Sequence, residues 1–183
     1  MLDGTVLNLI ADDLQAQATA VRGARIAASH QVNVPLATIP QGNPEQTLQA
    51  LEQWAGRGKS TTPYLYQFSV ADHALVPVLH AAFTEAKTSR RGQRAYARQQ
   101  APSATLYVGS SLALLDRVKQ HLGYGPQGTY ALQLCHWLPT ALPGSLELHA
   151  WRFAPDTPPS IIQAIEDSLW RRLRPMFGRQ GAR

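Results

Sequence analysis

Apolar positions along the chain change spacing several times, and each change marks an element. Val6, Leu9, Ile10, Leu14 and Val21 follow helical spacing, which predicts an amphipathic helix over 6–21. The stretch 31–40 holds Pro35 and Pro40 and reads as an extended linker. Asn43-Pro44-Glu45 has the form of a helix start: an N-cap, a proline at the first helical position and an acid in the first turn. The helix it opens buries Leu48, Leu51 and Trp54 and stops near Gly56 and Gly58.

The second half carries shorter runs. Residues 63–70 are rich in β-formers and read as a strand. Asp72 caps a helix through Leu75, Val76, Leu79 and Phe83, in which Pro77 is tolerated only near the start. A second strand covers 104–108 and ends in a Gly109-Ser110 turn. Ser111 then caps a helix over 112–122, closed by Gly123. Leu115, Val118 and Leu122 form the core face of that helix, with Arg117 and His121 at its edge. Residues 131–138 and 146–153 read as two further strands. A last helix opens at Asp156 or Thr157, ahead of Pro158-Pro159, and runs to about Arg174. On it Ile162, Glu166, Trp170 and Leu173 share one face, so Glu166 is an acid amid an apolar stripe and needs a partner or a metal.

The pattern predicts an α+β fold. A mainly antiparallel sheet of three or four strands is flanked by helices over 61–183, and a helical N-terminal subdomain covers 1–60. At 183 residues the chain can bury a real core. Its single cysteine, Cys135, excludes an internal disulfide framework and a cysteine-based zinc site. No apolar run reaches membrane-spanning length and no signal-peptide pattern opens the chain, so an intracellular, cytoplasmic protein with no membrane contact is expected. Charge is uneven. Residues 1–60 carry a net −1 and residues 61–183 a net +6, which points to a polyanion for the C-terminal part.

The most informative run is Leu106-Tyr107-Val108-Gly109-Ser110-Ser111, then Arg117, then His121. Arg and His at i and i+4 lie on one side of a helix and can converge on one anion such as a phosphate. With Tyr64-Leu65-Tyr66 upstream, and with Glu166 and the exit Leu173-x-Pro175-x-Phe177 downstream, the ordered set resembles the GIY-YIG nuclease superfamily over about 61–183. The likeness departs in three places. Tyr64 stands where the first motif usually has Gly. Forty residues lie between Tyr66 and Tyr107, so 71–103 reads as an insertion between the first two strands. The Asn that usually follows the late Pro is missing, with Gln180 the candidate replacement.

The resemblance implies a metal-dependent endonuclease that hydrolyses DNA phosphodiester bonds, with Tyr66, Tyr107, Arg117, His121 and Glu166 catalytic. It implies one divalent metal per site on Glu166: Mg2+, with Mn2+ able to substitute. The alternative for Glu166 is an ion pair with Arg117 or another basic group inside the fold. Arg117 would clamp the scissile phosphate through its forked donors. Tyr66 or Tyr107 would orient or deprotonate the water, with core packing as the alternative for both. An ordinary tyrosine is ionised in roughly one molecule per thousand at pH 7, so a base needs a nearby cation. His121 could share that role or accept the tyrosine proton.

Lys87, Arg90, Arg91, Arg94 and Arg98, with Tyr96 among them, are candidates for gripping DNA backbone; a solvated loop is the alternative. Arg171 and Arg179 belong to a second basic cluster near the last helix. The leading expectation is a sequence-specific restriction-type enzyme, with a homodimer for double-strand cutting. The rivals are a non-catalytic nucleic-acid-binding module on the same fold and a nuclease for single-stranded or branched DNA or RNA.

Overall fold

The computed structural model describes residues 2–42 and 44–181. Helix α1 (Gly4–Gly23) opens on Asp3, whose carboxylate accepts the Val6 N–H at 3.0 Å. Strand β1 (Ile26–Pro35) leads through a 3-10 turn (Leu36–Gln41) to helix α2 (Glu45–Ala55). Then come strand β2 (Tyr64–Val70), helix α3 (Leu75–Thr88), strand β3 (Thr105–Ser111), helix α4 (Leu114–Leu122), strand β4 (Ser145–Phe153) and helix α5 (Pro159–Leu173). The four strands form one antiparallel sheet in the order β1-β4-β2-β3, so the fold is α+β.

The two faces of the sheet divide the core. Tyr64, Tyr66, Phe68 and Val70 alternate onto one face with Leu146, Leu148 and Ala150, where residues of α2, α3, α4 and the C-terminal Phe177 cover them. Leu65, Val108 and Phe153 point the other way and pack on Ile162, Ile165 and Leu169 of α5. No described helix is long and apolar enough to cross a membrane.

The structure corrects several expectations. Residues 31–35 of the expected linker are strand, the second half of β1, and the N-terminal stretch is not wholly helical. Val34 and Val32 pair with Leu146 and Leu148, making β1 a full edge strand of the sheet. Residues 131–138 form no strand: Ala131 makes a single bridge to Tyr96, and Gln133 turns left-handed at φ 58° before a 3-10 turn over Leu134–His136. Five residues of that run are apolar and buried, Ala131, Leu132, Leu134, Trp137 and Leu138, and burial without a ladder looks like a strand in the sequence.

Gly109 and Ser110 are not a turn but lie within β3, and α4 starts at Leu114, with Ser111 Oγ accepting the Ala113 N–H at 3.1 Å. Neither Asp156 nor Thr157 caps α5, which begins on Pro158 without a side-chain cap. Asn43 lies outside the described residues. Asp72 Oδ1 accepts the Ala74 N–H just ahead of α3, which no side chain caps; the remaining boundaries agree, with β2 and β3 paired directly although residues 71–103 lie between them, Gly123 closing α4 at φ 104° and Arg174 closing α5 at φ 46°.

Candidate active site

The site is assembled by β2, β3 and α4. In the register of β2 and β3, Tyr66 stands opposite Gly109 and Phe68 opposite Tyr107, so both tyrosines project onto the face that α4 covers. Gly109 leaves the room they need. A Cβ there would lie 2.7 Å from Tyr107 Cε1 and 2.9 Å from Tyr66 Oη, so any larger residue displaces a ring or the hydroxyl. Tyr107 has Gly178 against its other edge, where a Cβ would come within 3.0 Å of Cε2. The two tyrosine rings stack 6.0 Å apart, and Tyr107 lies 4.3 Å from the His121 ring.

His121 and Arg117, one turn apart on α4, converge on one oxygen. Tyr66 Oη is 3.0 Å from His121 Nε2 and accepts from Arg117 Nε at 3.4 Å. Arg117 also donates to Tyr107 Oη at 3.4 Å, to Gln120 Oε1 at 2.8 Å and to the Tyr130 carbonyl at 3.1 Å. Of the five guanidinium N–H groups, one on Nη1 is left over in this arrangement. The sequence alone placed His121 at the edge of the helix face; in the fold it is wholly buried, and Arg117 is the half-buried member of the pair.

The histidine tautomer follows from the backbone. The Leu132 N–H donates to His121 Nδ1 at 3.3 Å, so Nδ1 carries no proton and the neutral ring bears it on Nε2. Nε2 therefore donates to Tyr66 Oη. This overturns the expectation that His121 accepts the tyrosine proton, because its acceptor nitrogen is already taken. Burial, then the Arg117 charge, holds His121 well below its ordinary 6.5. Tyr66 thus has two N–H donors aimed at its oxygen, an arrangement that favours a phenolate. Burial first, then Tyr107, outweighs the help from Arg117, and the hydroxyl stays well above its ordinary 10.0. At neutral pH the pair is a phenol and a neutral imidazole.

Glu166 belongs to the same neighbourhood. It lies on the face of α5 that packs against the sheet at β3, is 7% exposed, and its charge reaches Tyr66 closely enough to push that hydroxyl upward. Asp167 is pinned: its Oδ1 accepts from Gln163 Nε2 at 3.2 Å and from the Gly181 N–H at 3.1 Å. Gln180 is exposed, and the carboxamide that touches the site is that of Gln120. Sequence reasoning missed Gln120, although its i+3 offset from Arg117 was a usable signal. It also missed the Tyr130 carbonyl and the Leu132 N–H, for which a sequence offers no signal.

The basic run behaves differently. Lys87 Nζ donates to the Ala97 carbonyl at 3.0 Å, and Arg91 pairs with Glu85 at 2.6 Å. Arg94 is half buried and donates to the Gly125 carbonyl at 3.1 Å and to Gln133 Oε1 at 3.2 Å. Arg90 and Arg98 are exposed. Arg171 is exposed and donates to Ser168 Oγ at 3.1 Å, and Arg179 is exposed near the described C-terminal end. Comparison with protein-family models, with curated proteins and with solved structures finds no match.

Proposed function

We propose that the chain is a metal-dependent endonuclease of GIY-YIG type that hydrolyses DNA phosphodiester bonds, with sequence-specific, restriction-type cutting in a cytoplasmic setting as its leading role. One observation carries the reading: a tyrosine hydroxyl held at 3.0 Å by a histidine and at 3.4 Å by an arginine that also reaches a second tyrosine, with a buried carboxylate in electrostatic range. Functional sites collect groups displaced from their ordinary titration ranges.

The donor set fits a magnesium ion better than a transition metal. No described group of three or more His, Cys, Asp or Glu is placed to hold an ion. Glu166 would hold such a cation through its carboxylate, a hard oxygen donor of the kind magnesium prefers. When bound, it supplies charge stabilisation at the phosphoryl oxygens and raises the acidity of water. Arg117 binds a non-bridging phosphate oxygen through its remaining Nη1–H while its Nε–H stays on Tyr66 Oη. Tyr66 orients the attacking water, and accepts its proton only as the phenolate. That form is favoured by the two N–H donors on its oxygen and by any added cation, and opposed by burial. His121 stays neutral and holds Tyr66 Oη in place.

The test is nicking of supercoiled plasmid with magnesium. Wild type should convert it to open-circular or linear DNA, and Glu166→Ala should leave it supercoiled; equal cutting by both would sink the metal-ligand assignment. A second reading, a non-catalytic nucleic-acid-binding module, is favoured by the near-complete burial of Tyr66, 1% exposed. Wild-type protein that binds DNA but nicks it with neither magnesium nor manganese would select that reading. A panel of single-stranded, branched and RNA substrates separates the remaining nuclease roles.

A further inference from the structure

Helix α1 is the most anomalous element in the fold. It spans 20 residues and buries none of them. Of the nine large apolar side chains left exposed among the described residues, six lie between positions 2 and 26. Leu7 is 53% exposed, Ile10 44% and Leu14 60%. These three share a helical stripe with Val21, at spacings of three, four and seven residues. Scattered exposed leucines are ordinary, but an aligned row on one helix marks a contact surface. Helix α1 touches the body of the protein at α5, and Val21, at the end of the stripe, is partly buried.

The same chain carries a matching empty groove. A cavity of about 420 Å³ lies between the end of α1, the outer face of the sheet and α5. Its walls are almost wholly apolar, with Leu65, Trp151, Phe153, Ile165, Leu169 and Leu173 prominent. We propose that the Leu7–Ile10–Leu14 stripe of one copy seats in this groove of a second copy, and reciprocally, so that the chain is a two-fold homodimer.

Three observations select a second copy over other occupants. The stripe and the groove are complementary in chemistry and both lie on one chain, so a two-fold axis satisfies both at once. Their edges are complementary in charge. Asp13 flanks the stripe on α1, and the exposed Arg172 stands one turn beyond Leu169 on the groove's α5 wall. A lipid surface fits poorly, because helices that lie on membranes carry Lys and Arg along the polar face. Helix α1 has Asp12 and Asp13 in mid-helix and only Arg22 at its end. The inference does not depend on the chemistry proposed above.

The test is sedimentation velocity across a concentration series on the full chain. Wild type should sediment as a dimer. Leu7→Glu/Leu14→Glu should sediment as a monomer that keeps the wild-type circular-dichroism spectrum, since both residues are exposed in the single chain. Asp13→Arg should weaken dimerisation by about tenfold, and adding Arg172→Asp should restore it. A wild type that stays monomeric at all concentrations overturns the proposal, as does a double glutamate variant that still dimerises. A monomeric wild type that floats with vesicles of anionic phospholipid assigns the stripe to lipid instead, and equally overturns it.

Discussion

Arg117 and Arg94 are both half-buried arginines that donate to several groups of the fold, yet they do different things. Arg94 donates to a backbone carbonyl and a carboxamide, acceptors that do not titrate, and so ties the segment between β2 and β3 to the loop after α4. Arg117 donates to two tyrosine hydroxyls as well as to Gln120 and a carbonyl. Its charge therefore acts on groups that can gain or lose a proton, and it works against the rise that burial imposes on Tyr66. Partner chemistry, and not burial or charge, separates a catalytic candidate from a structural one. It also divides the basic run: Lys87, Arg91 and Arg94 serve the fold, leaving Arg90 and Arg98 facing outward.

The largest effect that can break this comparison is on turnover. Arg117→Ala should cut the nicking rate by about 100- to 1,000-fold, the usual size for loss of one transition-state donor. Arg94→Ala should leave the rate of the folded enzyme unchanged and lower stability by about 1–3 kcal/mol, because it strands buried acceptors. Plasmid nicking read beside thermal melting separates the two; equal losses of rate would collapse the distinction.

Acid sensitivity should divide in the same way. His121, beside Arg117, is held well below 6.5 by burial and then by that arginine, whereas His136, nearer Arg94, is lowered less. The unfolded chain protonates such a histidine below about 6.5 while the folded one does not. Stability is therefore complete above that pH and falls as the pH drops below it. The drop in melting temperature between about pH 7.5 and about pH 5 should shrink more in His121→Gln than in His136→Gln. The reverse ranking would contradict the assigned burial effects.

The smallest effect concerns the outward arginines. Replacing Arg90 and Arg98 by Ala should weaken binding on all DNA sequences alike. Each lost phosphate contact should reduce the slope of log affinity against log salt by about one unit. An unaltered slope would make the run solvated surface only.

Local spacing explains which parts could be read in advance. Arg117, His121 and Glu166 sit on helices whose periodicity is written over a few residues, and strands β2 and β4 carry dense β-formers. Strand β1 was illegible because its pairing partner β4 begins more than a hundred positions later, and nothing near Val32 and Val34 announces it. Gly109 looked like a turn because a glycine ordinarily is one; its role, leaving space for Tyr66 and Tyr107, exists only once two strands are in register. The run 131–138 is apolar because it is buried, but Gln133 at φ 58° breaks it. The tautomer of His121 depends on the Leu132 N–H, eleven residues on, which no side-chain pattern encodes.

The central claim is that the Tyr66 hydroxyl, held by His121 and Arg117, takes part in phosphodiester cleavage. Tyr66→Phe removes that oxygen and leaves the ring in its stack with Tyr107. Single-turnover nicking of supercoiled plasmid with magnesium should be lost in Tyr66→Phe while DNA binding and the melting temperature are retained. Nicking at the wild-type rate by a folded Tyr66→Phe would contradict the account.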